Sequence, residues 1–152
     1  AVSQREVEEI VSNVELSVSE ALGRSWADSP LFEGTNFKSG VLRAQHDADE
    51  FFLSLGYKHD PDSGLYAPVA HSEKRVALFA HQGFGLLFLS CVLDIPYPLF
   101  CTHFDLGHSS MTVIEFTPNS EGFAVPKVLE LSNDSHIYKA GLPTLYQNVI
   151  RI

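Results

Sequence analysis

Residues 75–85 have the sequence RVALFAHQGFG, and this segment gives the strongest indication of the fold. Five apolar residues lead directly into a histidine, two glycines follow closely, and residues 86–93 are almost all apolar. A short apolar run of this kind is typical of a central strand of a parallel sheet, covered on both faces. The glycines indicate a tight turn. We therefore predict a buried strand over Arg75–Ala80 and a helix over Leu86–Leu93.

His81 lies between that strand and that helix. In open α/β sheets the ligand crevice lies at the carboxyl ends of the strands, and helix N-termini there bind anions. Small residues at Gly83 and Gly85 would let a ligand approach the backbone, and imidazole changes charge near neutral pH. His81 is therefore a candidate to orient a phosphoryl group or to act as a general acid or base. The alternative is that it only caps the turn.

The remaining elements complete an α/β chain. In order we predict helices over Glu6–Leu22 and Phe37–Leu55, a polar turn over Lys58–Ser63, a short strand over Leu65–Val69, a helix from about Pro98, a loop over Cys101–His108, and a hairpin of Ser110–Phe116 and Ala124–Leu131. Thr35 or Asn36 should cap the second helix, and Leu42 should lie on its buried face. We expect one domain over residues 1–152, with helices layered on a mixed, mainly parallel sheet. A central strand needs neighbours on both sides. Either Leu65–Val69 lies beside it, or its neighbour lies outside this chain.

Composition narrows the function classes. The 152 residues are 45% hydrophobic and carry a net charge of −9 at pH 7, with basic residues scattered. Nucleic-acid binding requires a positive patch, so we expect no nucleic-acid partner. No apolar run approaches the roughly 18 residues of a membrane span, and the acidic N-terminus is unlike a signal peptide. We expect no membrane association, a cytoplasmic location, and buried free thiols at Cys91 and Cys101.

Three other groups of side chains carry weaker candidate chemistry. Four potential metal ligands occur close together, but their spacing is unlike the paired spacing of zinc sites; they are Cys101, His103, Asp105 and His108. Ser109 and Ser110 enter a predicted strand rather than the strand-to-helix turn of a serine nucleophile. His136 lies in a turn-forming sequence that is typical of exposed loops. We predict neither a metal nor another cofactor.

Three segments together resemble one known family. The segment Val76–Phe84 is similar to the second-histidine motif of the histidine phosphatase (phosphoglycerate mutase-like) superfamily, an apolar strand that ends in a histidine before an apolar helix. His108–Phe116 resembles a late strand of that family. Leu129–Ile137 resembles its closing strand and the Asn–Asp…His turn of bacterial members. The resemblance covers about Asp47 to Ile137 and implies an incomplete phosphoglycerate mutase-like fold.

The resemblance implies a phosphohistidine mechanism. In the family a first histidine, within an Arg–His–Gly motif, attacks phosphorus, arginines and the second histidine hold the phosphoryl oxygens, and an acid protonates the leaving oxygen. Only the second histidine carries over, onto His81, with the backbone N–H of Gln82 helping to bind phosphate. Gln82 stands where glycine is common in the family. None of the seven histidines follows an arginine, so the nucleophile would lie upstream.

These features lead to two hypotheses about function. The first is that the chain is the C-terminal part of a phosphatase or mutase that acts on a phosphorylated small molecule and that it is inactive alone. The alternative is a non-catalytic phosphatase-like α/β module that binds a ligand or partner, which Gln82 and the acidic charge favour. If a strand is missing, we also expect self-association through the exposed sheet edge.

Overall fold

The structure, a computed structural model, describes residues 26–70 and 72–144. Within these residues the protein has a mixed α/β fold with four strands and four α-helices. In chain order the elements are two 3₁₀ helices (Trp26–Asp28 and Pro30–Phe32), α1 (Phe37–Ser54), β1 (Tyr57–Asp60), β2 (Leu65–Pro68), α2 (Gln82–Val92), α3 (Tyr97–His103), β3 (Met111–Pro118), β4 (Ala124–Asn133) and α4 (Ser135–Lys139). The predicted helix over Glu6–Leu22 lies outside the described residues.

The sheet is antiparallel, with the strand order β1-β2-β4-β3. β1 and β2 form one hairpin, β3 and β4 form the second, and the pairing of Tyr66 with Ala124 joins them. The predicted short strand over Leu65–Val69 and the second hairpin are both confirmed. The prediction of a mainly parallel sheet is wrong, because each neighbouring pair of strands in the described part of the chain runs in opposite directions.

The predicted central strand over Arg75–Ala80 is also absent from this sheet. Residues 72–80 form neither a strand nor a helix. Val76 is 53% exposed, Leu78 is 52% exposed and Phe79 is 93% exposed. A strand exists only where a neighbouring backbone accepts and donates its hydrogen bonds. The apolar composition of the segment is that of a buried strand, but no strand in the described residues lies beside it, since β2 pairs with β1 and β4 instead.

Local sequence signals explain the two long helices. Asn36 occupies the N-cap of α1, and the Thr35 hydroxyl accepts a hydrogen bond from the Phe37 N–H at 3.3 Å. These are the residues from which the helix start was predicted. Leu42, predicted to be buried, is 60% exposed. α2 begins at Gln82 rather than Leu86, because the two glycines form its first turn instead of a separate loop.

Two groups of buried side chains hold the helices to the sheet. The first surrounds Trp26, whose ring lies 5.4 Å from those of Phe32 and Phe37; its other members are Leu86, Leu89, Tyr97, Phe100 and Cys101. The second consists of Phe52, Tyr66, Val92 and Ala124. Because α1 and α2 contribute to both groups, they pack together against one face of the sheet. This packing fixes the axis of α2 and the position of His81 at its start.

The cysteines agree with the expectation from composition. Both Cys91 and Cys101 are buried, and no disulfide joins them. Burial raises the pKa of the Cys91 thiol to about 11, so this group stays protonated at neutral pH. Across residues 26–70 and 72–144, no helix combines the length and the apolar character that a bilayer crossing requires.

Candidate functional site

His81 is the N-cap residue of α2. Its backbone is extended (φ −73°, ψ 153°), and its carbonyl oxygen accepts the first helical hydrogen bond from the Gly85 N–H at 2.9 Å. The imidazole is exposed and forms no hydrogen bond with any residue that the structure describes. The predicted helix after His81 is present but begins at Gln82, and no strand precedes His81 in residues 72–80. Its side chain does not cap the turn and is accessible to a ligand.

The first turn of α2 presents backbone donors beside this imidazole. The N–H groups of Gln82, Gly83 and Phe84 have no hydrogen-bond acceptor within the helix, because the carbonyl groups four residues earlier lie outside it. The helix dipole adds a partial positive charge at the same end. A Cβ atom on Gly83 would meet nothing within 4 Å, so the backbone is open there. These features favour the binding of an anion at the start of α2, as the sequence predicts.

Gly85 does not provide the open approach that was predicted for it. A Cβ atom on Gly85 would lie 2.9 Å from Cδ1 of Leu106. A larger residue at this position would therefore displace the end of the Leu106 side chain, which packs the loop after α3 against the first turn of α2. The space that a ligand was expected to use at Gly85 is filled by the Leu106 side chain.

The same loop brings a carboxyl group to Gln82. The Gln82 side-chain amide donates a hydrogen bond to Oδ1 of Asp105, and the Leu106 N–H donates to the same oxygen at 2.8 Å. Two residues on, the Gly107 N–H donates to the Ser132 hydroxyl at 2.8 Å. The loop is thus held against both α2 and β4. The side chain of Gln82 is engaged with Asp105, which leaves its backbone N–H as the group that can contact phosphate.

A shallow concavity in the described part of the chain is lined by residues in or next to β1, β2 and β3, among them Tyr57, Pro68, Val69, Phe116 and Pro118. Its lining includes neither His81 nor Gln82. A phosphate site normally surrounds the anion with several donors. His81 and the start of α2 supply donors from one side.

The weaker candidates are dispersed. The Cys101 thiol is buried within α3, the His103 ring lies at an exposed position beside the Leu99 carbonyl oxygen (2.9 Å), and Asp105 contacts Gln82. Among the described residues no three His, Cys, Asp or Glu side chains come close enough together to hold a metal ion, so the structure does not support the weaker alternative of a metal site at Cys101, His103, Asp105 and His108. His136 is exposed in α4, as predicted, and Ser110 immediately precedes β3.

One buried titratable side chain, that of His59, was not predicted from the sequence. This residue, predicted to lie in a polar turn, belongs to β1, and its side chain is 1% exposed between the carboxyl groups of Asp49 and Asp94. A signal was available, because Tyr57 and His59 alternate with Lys58 and Asp60 in the period of a half-buried strand. Pro61 and Gly64, which follow, indicated a turn more strongly.

Comparison of the chain with protein-family models, with curated proteins and with solved structures found no match in any of the three.

Proposed function

We propose that this chain supplies the second-histidine part of a phosphatase or mutase that acts on phosphomonoesters through a phosphohistidine intermediate. The observation that carries the proposal is the exposed imidazole of His81 at the N-terminus of α2, next to helical N–H groups that have no intrahelical acceptor. His81 and the Gln82 N–H would bind two phosphoryl oxygens. They would stabilise the negative charge that develops as the group is transferred.

The covalent step needs a nucleophile that this chain does not identify. In the proposed reaction a histidine nitrogen attacks phosphorus, the ester P–O bond breaks, and the leaving oxygen takes a proton from an acid. Water or a second acceptor then takes the phosphoryl group from the histidine. None of the chain's histidines follows an arginine as the family's nucleophile does. We therefore place the nucleophile, its arginine and the proton donor in polypeptide upstream of Ala1.

Residues 76–80 provide the place where the upstream part would join. Their apolar side chains are exposed, no strand of residues 26–70 and 72–144 pairs with their backbone, and the segment leads directly into His81. A strand paired in parallel with this segment would bury it and would end at the same edge as His81. With buried thiols and no disulfide at Cys91 or Cys101, we propose a cytoplasmic location.

The proposal predicts activity only in the longer protein. The 152-residue chain should release no phosphate from an aryl phosphate above the rate of a His81→Ala control, because removing a covalent nucleophile abolishes two-step transfer. The protein extended by the coding sequence upstream should hydrolyse the same substrate. Phosphate release, measured for both proteins at equal concentration, tests this. Hydrolysis by the chain alone at a rate that depends on His81 would overturn the proposal.

The exposed segment also predicts self-association of the chain by itself. An unpaired apolar backbone is a template for strand pairing with a second copy. Sedimentation velocity should show concentration-dependent oligomers, and the double variant Val76→Lys, Leu78→Lys should shift the chain to monomer by adding charge to the segment. Leu42→Lys is the matched control, since Leu42 is equally exposed but lies on α1. A stable monomer for the unsubstituted chain would contradict the prediction.

One observation favours a second candidate, a non-catalytic phosphatase-like module that binds a ligand or partner. The Asp105 carboxyl group, held by Gln82, brings an acidic side chain to the first turn of α2. Because the chain is also strongly acidic, this group weakens the attraction for a phosphate anion. An upstream-extended protein that binds inorganic phosphate or a partner but hydrolyses no phosphomonoester would support the module over the enzyme.

A further inference from the structure

His59 links three parts of the fold that are distant in sequence. Its Nδ1 lies 2.9 Å from Oδ1 of Asp49 in α1, and its Nε2 lies 2.9 Å from Oδ2 of Asp94, two residues after α2. The ring stacks on Tyr66 of β2, with centroids 4.7 Å apart. The imidazole thus joins α1, the β1–β2 hairpin and the corner that follows α2.

This arrangement selects one protonation state of the ring. A neutral imidazole has one donor and one acceptor nitrogen, whereas an ionised carboxyl group only accepts hydrogen bonds. With both carboxyl groups ionised, the two 2.9 Å contacts are satisfied together only when both ring nitrogens carry a proton. The Gln45 side-chain amide donates to the same Asp49 oxygen at 2.9 Å and helps to fix it in place. A neutral ring would turn a nitrogen lone pair toward one of the two carboxyl groups.

The groups around the ring agree with this assignment. The hydrogen bond to Asp94 is the largest influence, and with the charges of Asp94 and Asp49 it raises the pKa of His59 above 6.5 despite the opposing effect of burial. The other titratable groups that face the cluster are Asp60 of β1, Tyr66 of β2 and Cys91 of α2. Burial raises the pKa of the Tyr66 hydroxyl and of the Cys91 thiol, so both stay neutral while His59 titrates.

We propose that a protonated His59 is a pH-sensitive link that holds α1, the β1–β2 hairpin and the corner after α2 together, and that the link is released as the pH rises and the ring loses its proton. Asp94 is the residue most affected by its release. It has a left-handed backbone (φ 52°), which a non-glycine residue adopts at a cost in free energy, and its side chain is held by His59. Loss of the ring proton would free Asp94 and loosen the end of α2 that is opposite to His81.

The direction of the pH effect follows from proton linkage. Because the pKa of His59 is higher in the folded than in the unfolded protein, its contribution to stability is complete below about pH 6.5 and is lost as the pH rises through the folded pKa. Within that window the folding equilibrium constant should fall by up to about tenfold per pH unit from this group alone. The effect is opposite in sign to acid unfolding caused by carboxyl groups.

The first test is spectroscopic and uses the unsubstituted chain. Long-range proton–nitrogen NMR spectra should show both ring nitrogens of His59 protonated at about pH 6, with the proton lost at a higher pH than in an unfolded peptide. The backbone amide signals of Asp49 and Asp94 should shift with the same midpoint. A His59 midpoint no higher than that of the unfolded peptide would overturn the proposal, and so would a ring titration that leaves both amide signals unchanged.

The second test uses substitutions. Asp94→Asn should lower the titration midpoint of His59, whereas Asp28→Asn, at an exposed position in the first 3₁₀ helix, should leave the midpoint unchanged. His59→Gln should remove the alkaline decline of the folding equilibrium constant, measured by urea unfolding between about pH 6 and pH 9. An unchanged midpoint in Asp94→Asn would overturn the proposal even if His59→Gln does not fold. None of these readouts requires catalysis, so they are independent of the proposed phosphatase activity.

Discussion

The substitution His81→Ala is expected to lower kcat/KM for an aryl phosphate by about 10²- to 10⁴-fold in the upstream-extended protein, the usual range for loss of a group that stabilises transition-state charge or transfers a proton. The imidazole forms no hydrogen bond with the described residues, so its removal breaks no contact that supports the fold. The loss should therefore appear in catalysis with little change in the urea midpoint of unfolding.

A matched control tests whether the loss of activity is specific to His81 or follows the replacement of any exposed histidine. His103 is also exposed, lies at the end of α3, and contacts the Leu99 carbonyl oxygen within its own helix. We expect His103→Ala to retain kcat/KM within about threefold, as is typical of substitutions that touch neither substrate nor core. Steady-state hydrolysis at saturating and at limiting substrate concentrations gives kcat and kcat/KM. A loss below tenfold in His81→Ala, or an equal loss in His103→Ala, would contradict the assigned role of His81.

The substitution His81→Ala should slow the formation of the phosphohistidine intermediate without abolishing it. In the proposed mechanism the phosphoryl group is carried by an upstream histidine, so His81→Ala removes charge stabilisation but keeps the nucleophile. Acid-labile labelling of the protein by a phosphomonoester should therefore still occur, at a lower rate. Complete absence of labelling in His81→Ala, with labelling in the unsubstituted protein, would instead identify His81 as the nucleophile.

Local sequence signals predicted the parts of the fold that depend on nearby residues. The start of α1 at Thr35–Phe37, the strand at Leu65–Pro68 and the hairpin of β3 and β4 each follow from caps, periodicity or turn residues. The position of His81 before a helix was predictable for the same reason. These features need no information about distant parts of the chain.

The failures concern contacts between distant residues. The apolar run at 76–80 indicated a buried strand, but composition does not show whether a neighbour for it exists in the same chain. The filling of the space at Gly85 by Leu106, and the hydrogen bond between Gln82 and Asp105, arise from the packing of a loop twenty residues away. No periodicity reports such contacts. The burial of His59 likewise depends on two carboxyl groups contributed by two other parts of the chain.

The second large effect is expected at Phe52, where the substitution Phe52→Ala should lower the free energy of unfolding by about 3–5 kcal/mol. Phe52 is 7% exposed and lies where α1 meets α2 and the sheet. Its ring centroid is 4.7 Å from that of Phe116, 5.6 Å from that of Tyr66 and 5.9 Å from that of Phe88. Truncation leaves a cavity bordered by three rigid rings that cannot easily close it.

Leu53, the next residue of α1, provides the control because its side chain is 50% exposed. Leu53→Ala should cost less than about 1 kcal/mol, since half of the side chain already contacts water. Urea unfolding followed by circular dichroism gives both values.

Domains of this size have total stabilities of about 5–15 kcal/mol, so Phe52→Ala can leave little folded protein. In that case Phe52→Leu, which keeps most of the volume, should fold with a loss of about 1–1.5 kcal/mol. Equal losses at Phe52 and Leu53 would show that α1 does not pack on the sheet through Phe52, and the orientation of α2 and His81 would then need another explanation.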